Sequence, residues 1–192
     1  ATVAHEYPLN AAGASKKASG QQLADLLGFE KAALSSAYTN STVTGTEVTG
    51  LSKTLVAGTY RFSYYLIIRS AATGTGPGFG INYTGTATSL VATLYYQGTG
   101  TTASTGVVDD ANTGVAAERV IEGCVTITES TTAPNLNVLT GVGAAGADCA
   151  VFIEGVIVTS DGGDLELWAN SETATVQIDV RAGSNLLICR CV

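Results

Sequence analysis

The sequence predicts an all-β protein, an antiparallel β-sandwich with an extended N-terminal arm and one short helix. Three observations carry that reading. In the segment 59–69, Tyr60, Phe62, Tyr64, Leu66 and Ile68 alternate with Arg61, Ser63 and Arg69, the period of two of a half-buried strand. From about Glu47 to the end, short apolar segments of this type follow one another, separated by turns rich in Gly, Thr, Asn and Asp. Reactive side chains are scarce, with a single His and only 13% charged residues, against roughly 25% in an ordinary soluble protein.

Taken in order, residues 1–45 form the arm and residues 46–192 the sandwich. The first nineteen residues are polar and Ala-rich around Pro8, a composition that becomes ordered by lying on something else. A short helix over about 19–28 follows. Ser19 caps it, Gln22 holds the capping-box position, Leu23, Leu26 and Leu27 share one face, and Gly28 ends it. Such a helix is too short to stand alone, so its leucines must dock elsewhere. Strands are then expected over 47–56, 59–69, 79–84, 88–97, 105–109, 115–128, 150–159, 164–169, 174–180 and 185–191. Ser160-Asp161-Gly162-Gly163-Asp164 reads as a tight hairpin that uses positive φ. The Thr- and Gly-rich stretches 72–80 and 98–106 read as exposed loops.

At 192 residues and a formal net charge of −7, the chain suits one packed core and argues against nucleic acid, whose phosphates need clustered Lys and Arg. No apolar run approaches the roughly 18 residues of a membrane span, and no basic-then-apolar signal pattern opens the chain. Synthesis inside a cell, with no membrane partner, is the expectation. A surface this poor in charge is often covered by another subunit, so self-association comes first among expected partners.

Candidate chemistry is thin. His5 lies in the arm, where nothing positions a nucleophile or carboxylate beside it. Residues Gly141-Val142-Gly143-Ala144-Ala145-Gly146 have dinucleotide-loop spacing, but the apolar segment Val151-Phe152-Ile153 follows where a helix is required. Asp109-Asp110 and Asp161/Asp164 sit in turns that favour Asp for backbone reasons. Glu166 and Glu172 complete the carboxylates weighed for glycoside chemistry. Trp168 is either an interface anchor or a side chain buried under a loop. Asn40-Ser41-Thr42 and Asn82-Tyr83-Thr84 match the glycosylation pattern. Cys124, Cys149, Cys189 and Cys191 lack the paired knuckles of a zinc site. Either they form at least one disulfide, with Cys189 and Cys191 taking different partners, or they pack as free thiols. No catalytic residue, cofactor or metal is expected, and the chain is not expected to be an enzyme.

Two stretches carry a resemblance. Ala57-Gly58-Thr59-Tyr60-Arg61-Phe62-Ser63-Tyr64-Tyr65-Leu66 is one, and the other runs from Gly163-Asp164-Leu165-Glu166-Leu167-Trp168 through Ala174 to Arg181-Ala182-Gly183-Ser184-Asn185-Leu186. Over residues 47–192 the chain resembles tailed-bacteriophage structural proteins. Their jelly-roll domains are related in shape to the trimeric heads of tumour-necrosis-factor and complement C1q proteins. The resemblance implies a virion surface projection and brings no catalytic residue with it. The first expectation is a capsid decoration (cement) protein on the capsid surface, a homotrimer that binds and stabilises the lattice of the major capsid protein. Its arm would anchor through His5, Tyr7, Pro8, Leu23, Leu26 and Leu27. Its trimer contact would use Tyr64, Tyr65, Tyr95 and Trp168. The alternative is a tail-fibre or spike head that binds a host receptor or glycan through exposed loops. A fibre usually adds a repetitive shaft, and this sequence has neither heptads nor repeats.

Overall fold

The computed structural model describes residues 6–11, 14–19, 29–98, 118–126, 137–138, 142 and 144–191. In chain order the strands are β1 (Glu6–Ala11), β2 (Ala14–Ser19), β3 (Phe29–Ala33), β4 (Tyr38–Asn40), β5 (Thr46–Glu47), β6 (Lys53–Leu55), β7 (Gly58–Ser70) and β8 (Pro77–Tyr83). They continue with β9 (Ala87–Gly98), β10 (Glu118–Thr126), β11 (Asn137–Val138), β12 (Asp148–Thr159), β13 (Gly163–Ser171), β14 (Ile178–Val180) and β15 (Asn185–Cys191).

The strand expected over 59–69 is β7, and it organises the molecule. Tyr60, Phe62, Tyr64, Leu66 and Ile68 are all buried, as the period of two requires. On one side β7 pairs along its length with β12, which pairs in turn with β9, and β9 with β10. Its other side is shared: β15 lies along Thr59–Tyr65 and carries β3, while β14 meets Ile68–Ser70 and carries β4. This is the large sheet. The small sheet runs β11-β8-β13, with β5 and β6 pairing separate stretches of β13. All these pairings are antiparallel, and from β7 to β14 the chain passes repeatedly between the two sheets, as in a jelly roll.

The core lies between the sheets. Val151, Ile153 and Ile157 of β12 and Leu186 and Ile188 of β15 meet Phe79, Ile81, Leu165 and Leu167 of the small sheet. Each such side chain contributes roughly 1.5–3 kcal/mol on full burial. Phe62 and Tyr64 pack edge to face at 5.9 Å. Opposite Phe62 on β12 stands Gly155. A Cβ there would collide with the Phe62 ring and lie 2.5 Å from the Val91 carbonyl oxygen on β9, so this position must be bare.

Several expectations are corrected. The sandwich begins at Phe29 rather than at 46, because β3 and β4 join the large sheet. The single strand over 47–56 is two, β5 and β6, since Val48 and Leu51 both turn into the core and the Leu51 amide donates to the Val48 carbonyl. Within 72–80, residues 75–80 are buried and Pro77 onward belongs to β8. Of 174–180 only Ile178–Val180 is strand; Thr175 takes a positive φ of 73° in the turn before it.

The turn at 160–163 does not fold β12 back on itself, because it carries the chain from the large sheet to the small one. Its glycines have ordinary φ. A Cβ on Gly163 would strike the Gly85 backbone of the neighbouring crossing, so close approach explains that glycine. Asp161 ties the two crossings, accepting from the Thr86 amide at 2.6 Å and the Thr86 hydroxyl at 2.9 Å.

In the arm, β1 and β2 form their own antiparallel pair, Glu6 opposite Ser19 and Ala11 opposite Ala14. The arm is extended as expected, but it pairs with itself, and Ser19 closes a strand. Residues 20–28 of the expected helix, like the expected strand 105–109, lie outside the described residues.

Gly155→Ala is expected to lower stability by about 3 kcal/mol, the upper end of overpacking costs, because backbone on β9 cannot yield. Urea unfolding should show a reduced midpoint at unchanged slope. Parental stability would mean that Phe62 does not lie across Gly155.

Candidate functional site: the outward face of the large sheet

The residues of β7 that alternate with the core stripe point away from it, and their neighbours in register form the opposite face of the large sheet. Tyr95 on β9, Phe152 on β12 and Tyr65 on β7 stand side by side, with Phe152 and Tyr65 edge to face at 5.4 Å. The next row is Thr93, Glu154, Ser63 and Leu187, and the one after it Val91, Val156, Arg61 and Cys189. Tyr65, Ile67, Val91, Phe152, Val156 and Leu187 are each between 36% and 41% exposed. This is far more apolar surface than a solvated face normally shows. A depression of about 430 Å³ lies beside the aromatic row, bordered by Arg61, Ser63, Thr93, Tyr95 and Glu154.

Charges at the end of this face are paired. Arg69 holds Asp148 at 2.9 Å, and Arg181 approaches Asp148 and Asp179. Arg61 and Glu154, both exposed, have no ion-pair or hydrogen-bond partner among the described residues.

The expected contact residues separate into three places. Tyr65 and Tyr95 are on the outward face. Tyr64 is fully buried in the core, a correction that follows from the period of two: neighbours in a strand cannot share a face. Burial pushes its phenol pKa well up, helped by the Glu166 and Glu47 charges, and its hydroxyl has no partner among the described residues. Trp168 is half-buried on the outside of the small sheet, opposite Gly80. Its indole N–H donates to Glu166 at 2.9 Å, and the same carboxylate oxygen accepts from Asn82. Trp168 is thus held within its own subunit, on the other sheet from Tyr65 and Tyr95.

Of the arm residues, Tyr7 and Pro8 lie on β1 opposite Ala18 and Lys17. His5, Leu23, Leu26 and Leu27 fall outside the described residues, as do Asp109, Asp110 and 99–106 of the second loop. The glycine-rich segment ends in a turn, where the Ala147 amide donates to the Ala144 carbonyl, and leads directly into β12. Glu172 accepts from the Gly76 amide. Asn40 is buried, its amide donating to the Thr44 and Ala169 carbonyls, so the folded chain does not offer it for glycosylation. No group of three or more His, Cys, Asp or Glu among the described residues could hold a metal ion.

The cysteines stand far apart. Cys149 faces Ile68 and Cys189 faces Arg61 on opposite flanks of β7, a difference in level of ~23 Å at ~3.3 Å per residue. Cys124 faces Thr93, which faces Glu154, so it lies ~15 Å along the strands from Cys149 and four strand spacings, ~19 Å, from β15. A disulfide needs Cα atoms within ~7 Å and converging Cβ vectors, which adjacent same-face positions such as Cys189 and Cys191 lack. Among the described side chains Cys149, Cys189 and Cys191 are free thiols, and none of the three is placed to pair with another.

Reasoning from the sequence missed Phe152, Val156, Ile67, Leu187 and the Arg61/Glu154 pair. The available signal was in β12, where Ala150-Val151-Phe152-Ile153 and Val156-Ile157-Val158 are apolar on both faces, the pattern of a strand covered on both sides.

No family model and no curated protein matches the chain. Among solved structures it is similar to infectious bursal disease virus of the Gx strain, at 14% identity and a TM-score of 0.21 over 94% of this chain and 40% of that one. The Gt strain gives 12% and 0.23 over 97% and 41%, and the VP2 subviral particle of the same virus 14% and 0.20 over 94% and 44%. The chain spans less than half the length of these matched chains. TM-scores of this size carry no argument about function, which rests on the residues themselves.

Tyr64→Phe is expected to leave stability unchanged or raise it by up to about 1 kcal/mol, since it deletes a buried hydroxyl without a partner. A loss of more than that in thermal or urea unfolding would mean the hydroxyl is hydrogen-bonded. For the cysteines, protein kept in air and denatured without reductant should label at all four thiols. A shortfall cured by reductant in the monomeric species would contradict the strand register.

Proposed function

We propose that the chain is a structural subunit of a virion, a bacteriophage capsid decoration protein that assembles as a homotrimer and fastens onto the lattice of the major capsid protein. The observation that carries this reading is the outward face of the large sheet. A sheet whose second face shows six large apolar side chains is built to be covered. Tyr65, Phe152 and Tyr95 supply the aromatic anchors that subunit contacts favour. The resemblance of residues 47–192 to tailed-phage structural proteins supplies the setting. The β1–β2 hairpin supports the anchoring role of the arm, because an isolated two-stranded hairpin is marginal in water and gains stability by lying on a further surface. On this reading the subunit is made in the host cytoplasm and ends on the capsid surface.

Sedimentation of the purified chain at micromolar concentration should give a trimer. Deleting residues 1–28 should abolish attachment to particles while the sandwich, which begins at Phe29, keeps its cooperative unfolding. A stable monomer would remove the trimer, and full occupancy by the truncated chain would remove the arm as anchor. Sparse copies confined to a tail would favour the receptor-binding alternative.

A further inference from the structure

We propose that the outward face of the large sheet is where this chain meets further copies of itself, with Arg61 of one copy paired to Glu154 of the next. This rests on the reading of the chain as a self-assembling subunit and names the contact.

Charge is the first argument. Arg61 on β7 and Glu154 on β12 are one strand and one row apart. Both project from the same face and neither has a partner among the described residues, although Arg69 and Asp148 pair on the same two strands. Unpaired opposite charges among exposed apolar side chains are poorly placed for solvent and well placed for a copy of themselves. Because they sit on adjacent strands, one to each side, rotation about a symmetry axis brings the Arg61 side of one copy toward the Glu154 side of its neighbour. A partner of another kind would need to supply one charge of each sign at this spacing. A second copy carries them already.

Area is the second argument. The six exposed apolar side chains present on the order of 500 Å², a large part of the ~800 Å² per partner in a standard interface. The depression beside Glu154 leaves room for the neighbour's arginine, and the surrounding Val91, Val156 and Phe152 would exclude water from the pair. An ion pair so enclosed fixes register, and loss of one partner is costly because the other stays buried alone.

The test uses the full chain and four variants: Arg61→Glu, Glu154→Arg, the double exchange, and Phe152→Asp. All change exposed positions, and thermal unfolding checks that each remains folded. Sedimentation across concentration should show each single reversal weakening association by ~10-fold or more, with the double exchange returning to within a few-fold of the parent. Phe152→Asp should be monomeric. A double exchange that associates as poorly as the single variants, or single charge variants that associate like the parent, overturns the pairing, and Phe152→Asp that associates like the parent overturns the face. A parent that stays monomeric at every concentration overturns both. Rescue in a dimer supports the pairing while removing the proposed trimer, and a trimer without rescue does the reverse.

Discussion

The large sheet of the sandwich is hung on β7. Its thirteen residues send one set of side chains, from Tyr60 to Ile68, into the core and offer both backbone edges to other strands. One edge is filled by β12, and the other is divided between β15 and β14. The constraint at its centre is the space for Phe62. The ring lies over Gly155 on the adjoining strand, where a methyl group would meet both the ring and the backbone of β9. One aromatic ring and one missing side chain thus fit together where these three paired strands run side by side.

The same strand decides what the other face can be. With Phe62 and Tyr64 committed inward, Arg61, Ser63 and Tyr65 must point outward, and their register partners on β12 and β9 add Phe152, Val156, Val91 and Tyr95. An arginine in this setting is not a solvated edge charge. It stands in an apolar surround with a glutamate one row away and no partner for either among the described residues. The small sheet spends its outward polar groups differently, with Trp168, Glu166 and Asn82 satisfying one another within the subunit. The two faces of the molecule thus have different chemical demands, and among the described residues the large sheet leaves six large apolar side chains of one face uncovered.

The sandwich ends are closed by polar backbone ties. Asp161 bonds the Thr86 amide and hydroxyl, the Asp164 amide donates to the Thr84 hydroxyl, and the Tyr83 hydroxyl donates to the Asp161 carbonyl. These bonds join two crossings that pass at glycine distance. Side-chain bonding to loop backbone is how short connections satisfy groups that no ladder reaches.

The sequence by itself determined the fold class and the core stripe of β7, because a period of two is a local property of a strand and needs no knowledge of its neighbours. It also placed 185–191 and 150–159 as strands, the latter from short apolar runs bounded by turn residues. It did not reveal β3 and β4, whose short alternations become strands only where β15 and β14 offer free edges. Nor could it separate Tyr64 from Tyr65 by role, since tyrosine suits core and interface alike and only register against β12 puts one inside and one out. The Asp-Gly-Gly turn was legible as a turn, but which sheet it led to was a long-range matter. The outward face belongs wholly to the tertiary structure: Arg61, Glu154, Phe152 and Leu187 come from three strands scattered along the chain, and hydrogen-bonded pairing alone makes them neighbours.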